Sequence, residues 1–260
     1  YCLTEPGAGS DAAALKTKAV LDGDHYVLDG QKQFISGAGV SDVYVVMVRT
    51  GEAGPGGIST IVVEKDTPGL SFGANEKKMG WNAQPTRAVI FENCRVPVAN
   101  RIGPEGIGFK IAMAGLDGGR LNIGACSIGG AQGALDKAIG YAQERQAFGS
   151  RIADFQALQF KLADMATRVE AARLLVDQAA HAYDTGQRCD LEAGMAKLFA
   201  TEAAVENSME AMRIHGAYGY SKEFNIERYY RDAPLLAIGE GTNELQRIII
   251  ARQLVERNPV

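Results

Sequence analysis

The stretch Phe155-Gln156-Ala157-Leu158-Gln159-Phe160-Lys161-Leu162-Ala163-Asp164-Met165-Ala166-Thr167-Arg168-Val169-Glu170-Ala171-Ala172-Arg173-Leu174-Leu175-Val176 decides the fold. Within it Phe155, Leu158, Leu162, Met165, Val169, Ala172 and Val176 step by three and four in alternation, which draws one apolar stripe along a long helix. A stripe of that length needs partner helices, and the segments 116–142, 191–214 and 245–254 supply them. From Pro104 onward the chain therefore reads as an antiparallel four-helix bundle. Residues 1–103 differ in texture. They hold short β-branched runs broken by glycine turns, among them Val43 to Val48, Ile58 to Val63 and Thr86 to Phe91. Asp22-Gly23 and Asp29-Gly30 read as hairpin turns on either side of His25 to Leu28. The apolar runs do not alternate strictly, so both faces of these strands are expected to be covered. The predicted class is α+β: a β-barrel-like domain over 1–103 followed by a helical domain over 104–260.

The 260 residues are 46% hydrophobic and 22% charged, an ordinary globular composition. A formal net charge of −4 gives no footprint for nucleic acid. No apolar run is long enough to cross a bilayer. Cys2, Cys94, Cys126 and Cys189 form no CxxC pair, and only three histidines accompany them. That argues against a structural metal site and for a reducing compartment. The chain opens on Tyr1-Cys2-Leu3-Thr4, a strand already in progress, and reads as a fragment whose N-terminal part is not included.

Five stretches carry candidate chemistry. In Ile238-Gly239-Glu240-Gly241-Thr242-Asn243-Glu244-Leu245-Gln246-Arg247 one acid sits between two glycines, after a helix predicted to end at Pro234 and before one predicted to begin near Thr242. A carboxylate on such an elbow in apolar surroundings has its pKa raised and can act as a general base. The same pattern also suits helix capping, with Thr242 as N-cap and an acid at the positive end of the dipole. Thr4-Glu5-Pro6-Gly7-Ala8-Gly9-Ser10-Asp11 is a glycine-rich turn able to present backbone N–H groups and Ser10 to a phosphate or ring edge, without Rossmann spacing. Phe34-Ile35-Ser36-Gly37-Ala38-Gly39 places an aromatic and a hydroxyl at a strand end. Leu116-Asp117-Gly118-Gly119-Arg120 puts two glycines into a helix at about 1 kcal/mol each, as a close approach would require. Arg145-Gln146-Ala147-Phe148-Gly149 reads as a helix end with Gly149 as its C′ residue. Arg213-Ile214-His215-Gly216-Ala217-Tyr218-Gly219-Tyr220 is a further turn, in which a lone His215 reads as structural.

In this order the motifs resemble the acyl-CoA dehydrogenases, and the resemblance covers the whole chain. It implies a middle β domain and a C-terminal bundle, FAD as cofactor, an acyl-CoA substrate, electron-transfer flavoprotein as partner and a homotetramer. It also implies a further helical domain, on the order of a hundred residues, before Tyr1. Glu240 is similar to the family's base, which removes the α-proton while the β-hydrogen leaves as hydride to the flavin. In some relatives the base lies instead at the position of Gly119, which has no side chain for it. Polarisation of the thioester carbonyl is implied from the Glu240 N–H and a flavin hydroxyl.

FAD contacts are implied for Tyr1, Leu3, Thr4, Gly9, Ser10, Phe34, Ile35, Ser36, Arg145, Phe155, Gln156, Arg213, Gly216, Ala217, Thr242, Asn243 and Glu244. Ser10, Asp117, Arg120, Gly241 and Arg252 would face the acyl-CoA. Phe34 and Ser36 stand where tryptophan and threonine are frequent, and Arg213 and Ala217 where glutamine and glycine are usual. The 34–39, 78–91 and 116–120 stretches are most similar to short, branched-chain members. The expected reaction is α,β-dehydrogenation of a short, straight or branched acyl-CoA, in a bacterial cytoplasm or a mitochondrial matrix. An oxidase passing electrons to oxygen, or an FAD-free oligomeric scaffold, are the alternatives; peroxide release and flavin absorbance discriminate them.

Overall fold

A computed structural model describes residues 1–259. The chain divides into two compact units, Tyr1–Gly115 and the residues from Leu116 onward.

The first unit is built on a seven-stranded sheet. Its strands are β1 (Lys18–Asp22), β2 (His25–Ser36), β3 (Val43–Arg49), β4 (Ile58–Glu64), β5 (Leu70–Phe72), β6 (Thr86–Pro97) and β7 (Arg101–Ile102). Their order is β5-β6-β2-β1-β3-β4-β7. All neighbours are antiparallel except β1 and β3, which pair in parallel through Lys18 and Arg49. On β3, Tyr44, Val46 and Val48 face one core with Leu28, Ile61, Val89 and Phe91. The intervening Met47 faces a second core with Leu3, Leu15, Ile58 and Ala112. With period-2 side chains and a core on each face, both parities are apolar, which is why these runs lack alternation.

Asp22-Gly23 does open the turn between β1 and β2. Asp29-Gly30, expected as a second hairpin turn, lies instead inside β2 at a register shift between Leu28 and Gly30. Gly30 has φ 145°, and a Cβ there would meet the Thr17 backbone at 2.7 Å. The glycine serves a bulge and a close approach, not a chain reversal.

The helices are α1 (Gly108–Glu144), α2 (Gln156–Asp184), α3 (Asp190–His215), α4 (Ile226–Ile238) and α5 (Asn243–Arg257). In the second unit the predicted stripe is buried from Met165 through Val176, with Ala179 extending it. Lys161 pairs with Glu210, Arg168 with Glu206 and the Met165 carbonyl with Asn207, so α2 and α3 are antiparallel. Arg257 meets Asp190 and Glu192 while Asn243 meets Thr201, so α5 also runs antiparallel to α3.

Helix α1 runs through Gly118-Gly119 unbroken, and two expectations are corrected here. Pro234 lies inside α4, which continues to Ile238 although a proline supplies no N–H to the helix ladder there. Gly149 is not a helix C′ residue. With Phe148 it forms the two-residue turn of a hairpin between β8 (Gln146–Ala147) and β9 (Ser150–Arg151). Both turn residues have positive φ, 51° and 81°, as a type I′ turn requires.

Candidate active site

In the first unit the opening segment is anchored by a buried ion pair. The Glu5 carboxylate accepts from Lys32 Nζ at 2.8 Å and from the backbone N–H groups of Lys16 (2.6 Å) and Thr17 (2.9 Å). Lys32 also donates to the Leu3 carbonyl at 3.2 Å. Burial pushes the Glu5 carboxyl up, but the Lys32 ammonium and these donors outweigh it and hold the group below its usual value. Neither Glu5 nor Lys32 was singled out from the sequence. A lysine in a strand reads as solvent-facing, yet Lys32 shares the parity of the buried Tyr26 and Leu28, and Glu5 meets it there.

The Gln33 N–H donates to the Thr4 carbonyl at 2.9 Å, which sets the glycine turn beside the end of β2. There Phe34 adopts φ 57° with its side chain 64% exposed. Ser36 and Ser10 are exposed, Thr4 and Tyr1 are partly or fully so, and nothing lies within 4 Å of a Cβ built on Gly9. Leu3 and Ile35 are buried in the two cores, so only their backbones are available to a ligand. The result is one patch holding an aromatic face, hydroxyls and unobstructed backbone, suited to a flat polar ring system.

In the second unit Glu240 sits on the elbow between α4 and α5 with φ 56°, a left-handed conformation that is uncommon for a non-glycine residue. Its carboxylate has no hydrogen bond or ion pair with any described residue, and neither does its N–H. Burial raises the carboxyl pKa, against the opposing pull of Arg120 and Lys197. On α1 Gly119 makes room for it. A Cβ built on Gly119 would collide with Glu240 Oε2 and stand 2.8 Å from its Cδ. The next residue, Arg120, is buried and bonded to Asp117 at 2.7 Å, and its Nε has no partner among the described residues. Burial raises the Asp117 carboxyl, with Arg120 opposing.

Thr242 is the N-cap of α5, accepting from Leu245 N–H. The capping reading of this stretch and the placement of an acid on the elbow both hold: Thr242 caps, and Glu240 projects before the helix. The Asn243 side chain is turned inward, its Oδ1 accepting from Lys197 (2.8 Å) and Thr201 and its Nδ2 donating to Glu202. Lys197 was missed in the sequence, where it sits unmarked among alanines of α3. Its ammonium donates to the carbonyls of Ala237 (3.1 Å) and Gly241 (2.9 Å). Gln246 adds a bond to the Gly241 carbonyl at 3.2 Å.

Of the other candidates only Glu244 adjoins this elbow. Arg252 is 75% exposed and paired with Glu256 further along α5. Glu244 is exposed in the first turn of α5. Arg213 pairs with Glu210 near the end of α3, ahead of Gly216 at φ 61° and Ala217. Arg145, Phe155 and Gln156 bracket the small hairpin, whose Phe148 ring meets Phe155 edge-on at 6.2 Å. His215 is buried, bonded to the Ala211 carbonyl and stacked on Tyr141 at 4.3 Å, a structural role. Among the described residues no three His, Cys, Asp or Glu side chains form a metal cluster, and no helix is long and apolar enough to cross a membrane.

The family model for the acyl-CoA dehydrogenase middle domain matches residues 1–94, and that for the acyl-CoA dehydrogenase C-terminal domain matches residues 106–255. Isobutyryl-CoA dehydrogenase of Dictyostelium discoideum is 55% identical over 98% of this chain, and acryloyl-CoA reductase (NADH) of Anaerotignum propionicum 49% over 99%. The chain spans 62% of the length of the first and 66% of the second. Among solved structures, butyryl-CoA dehydrogenase from Megasphaera elsdenii superposes with a TM-score of 0.96 at 41% identity, over 98% of this chain and 67% of that one. With both domain models and both halves of the fold in agreement, the chain belongs to the acyl-CoA dehydrogenase family.

Proposed function

We propose that the protein of which this chain is part removes two hydrogens across the α,β-bond of a short, straight or branched acyl-CoA, with Glu240 as the base. The observation that carries this reading is the carboxylate itself: unpaired, desolvated, held at φ 56° and given room by Gly119. Desolvation brings its pKa toward working pH, which strengthens it as a base. A structural acid would instead be paired, as Glu5 is with Lys32.

The Glu240 N–H, also without an acceptor, is available to the thioester oxygen on which charge develops as the α-proton leaves. The patch formed by Thr4, Gly9, Ser10, Phe34 and Ser36 fits FAD, since it offers ring contact, hydroxyl donors and open backbone. Thr242 and Glu244 at the start of α5, the Arg145 hairpin with Phe155 and Gln156, and the 213–217 turn are further contacts of this reading. Bound FAD supplies the acceptor for the hydride leaving the β-carbon. Asp117, Arg120 and Gly241 line the approach to Glu240, and Ser10 and Arg252 are assigned to the acyl-CoA. The branched, short-chain preference is supported by the likeness to isobutyryl-CoA dehydrogenase. Electron-transfer flavoprotein as electron acceptor is supported by relatives such as the caffeyl-CoA reductase-Etf complex subunit of Acetobacterium woodii. A homotetramer, and a boundary between the two domains near 103, complete the reading.

The test is anaerobic bleaching of the flavin band by isobutyryl-, 2-methylbutyryl-, butyryl- and octanoyl-CoA. A short or branched substrate is expected to bleach the parent, and Glu240→Gln to slow this by about 10²–10⁴-fold. Bleaching at the parental rate in Glu240→Gln removes Glu240 as the base.

A further inference from the structure

The reaction scheme leaves a buried ammonium group in the second unit, that of Lys197, without a role. The Lys197 side chain is fully buried on α3, and its three N–H donors are matched by three acceptors. Ala237, in the last turn of α4, lies three residues before Glu240. Gly241 follows Glu240 directly, and Asn243 opens α5. One nitrogen thus ties the end of one helix, the elbow and the start of the next to a third helix. The Ala237 carbonyl is among those that a helix C-terminus leaves unsatisfied, so a cation there is favoured by the dipole as well.

We propose that Lys197 is a positioning residue for Glu240, clasping the elbow carbonyls on both sides of the base and supplying a positive charge against which the carboxylate ionises. The proposal rests on the reading of Glu240 as the base. Purely structural anchoring would explain the clasp alone. The charge is the additional element, because Lys197 and Arg120 are the cations that face Glu240 within this unit. Asp117 on α1 is bonded to Arg120, and Glu202 on α3 and Glu244 on α5 act on Lys197 from the other side. Burial pulls the Lys197 ammonium down to about 8, with Glu244, Glu202 and Glu240 opposing and Arg120 assisting. A neutral amine has two N–H groups for three acceptors. The elbow therefore loses one bond, and Glu240 its nearby charge, as pH rises through about 8.

Flavin reduction by saturating acyl-CoA is measured against pH in the holoprotein and in Lys197→Met. The expected result is a rate constant lowered by about tenfold or more through misplacement of the base, with KM little changed, and loss of a declining alkaline limb near pH 8 that the parent shows. A variant that melts earlier but keeps the parental rate and limb overturns the proposal. A second measurement needs no change at the buried site: ¹³Cε titration of Lys197 by NMR in the parent and in Glu240→Gln. Linkage is reciprocal, so removing the anion is expected to move the Lys197 titration to lower pH. An unmoved titration overturns the proposal. Parental bleaching in Glu240→Gln overturns the base assignment instead, so the two failures are separate.

Discussion

Gly119→Ala tests the architecture of the elbow with a single methyl group. A Cβ at this position stands 2.8 Å from Glu240 Cδ and overlaps Oε2, against the 3.4 Å at which ordinary contact begins. The carboxyl must therefore retreat by more than half an ångström, or α1 must shift. The clashing atoms are the far end of a flexible side chain, so the shift itself costs little. With the about 1 kcal/mol that alanine gains over glycine in a helix interior, the fold is expected to be no less stable. Activity responds differently, since displacement of a catalytic group by about 1 Å costs on the order of 10²-fold.

Gly118→Ala is the matched control. It has the same propensity gain, and its new Cβ meets only Tyr183 Oη at an ordinary 3.6 Å. Stopped-flow flavin bleaching and urea unfolding of both variants check the reasoning. The expected outcome is a Gly119→Ala protein that folds but reduces its flavin about a hundredfold more slowly than Gly118→Ala. Equal rates in the two variants would refute the placement of Glu240 against α1.

Two further outcomes concern stability. Glu240→Gly removes both a left-handed φ and a desolvated carboxyl, and is expected to stabilise the chain by about 1–3 kcal/mol while abolishing turnover. Because the folded pKa of Glu240 is raised, the unfolded chain ionises first. The parent thus loses stability as pH climbs from the ordinary carboxyl value to the raised one, and the variant does not; urea midpoints across pH 4–7 compare them. In the first unit, Lys32→Met strands the Glu5 carboxylate in the core and is expected to cost about 3–5 kcal/mol by denaturant unfolding. A loss below about 1 kcal/mol would place that pair in the class of solvated surface bridges.

The bundle was legible in the sequence because a helix that buries one face must repeat its apolar residues every three or four positions, and Met165, Val169, Ala172 and Val176 do so. The elbow was legible for a similar local reason: an acid between two glycines before an N-capping threonine states its own backbone. Motif order carried the family. What local pattern could not carry was direction. Asp29-Gly30 reads the same in a hairpin turn and in a bulge, and the Thr17 backbone against Gly30 decides between them. Lys32 and Lys197 look like any solvated lysines until tertiary packing surrounds them with acceptors, and Gly119 looks like a helix defect until Glu240 is placed beside it. Each of these rests on a partner 13 or more residues away in sequence. Periodicity and spacing encode which face of an element is buried, whereas the partner a buried charge finds is set only when the elements meet.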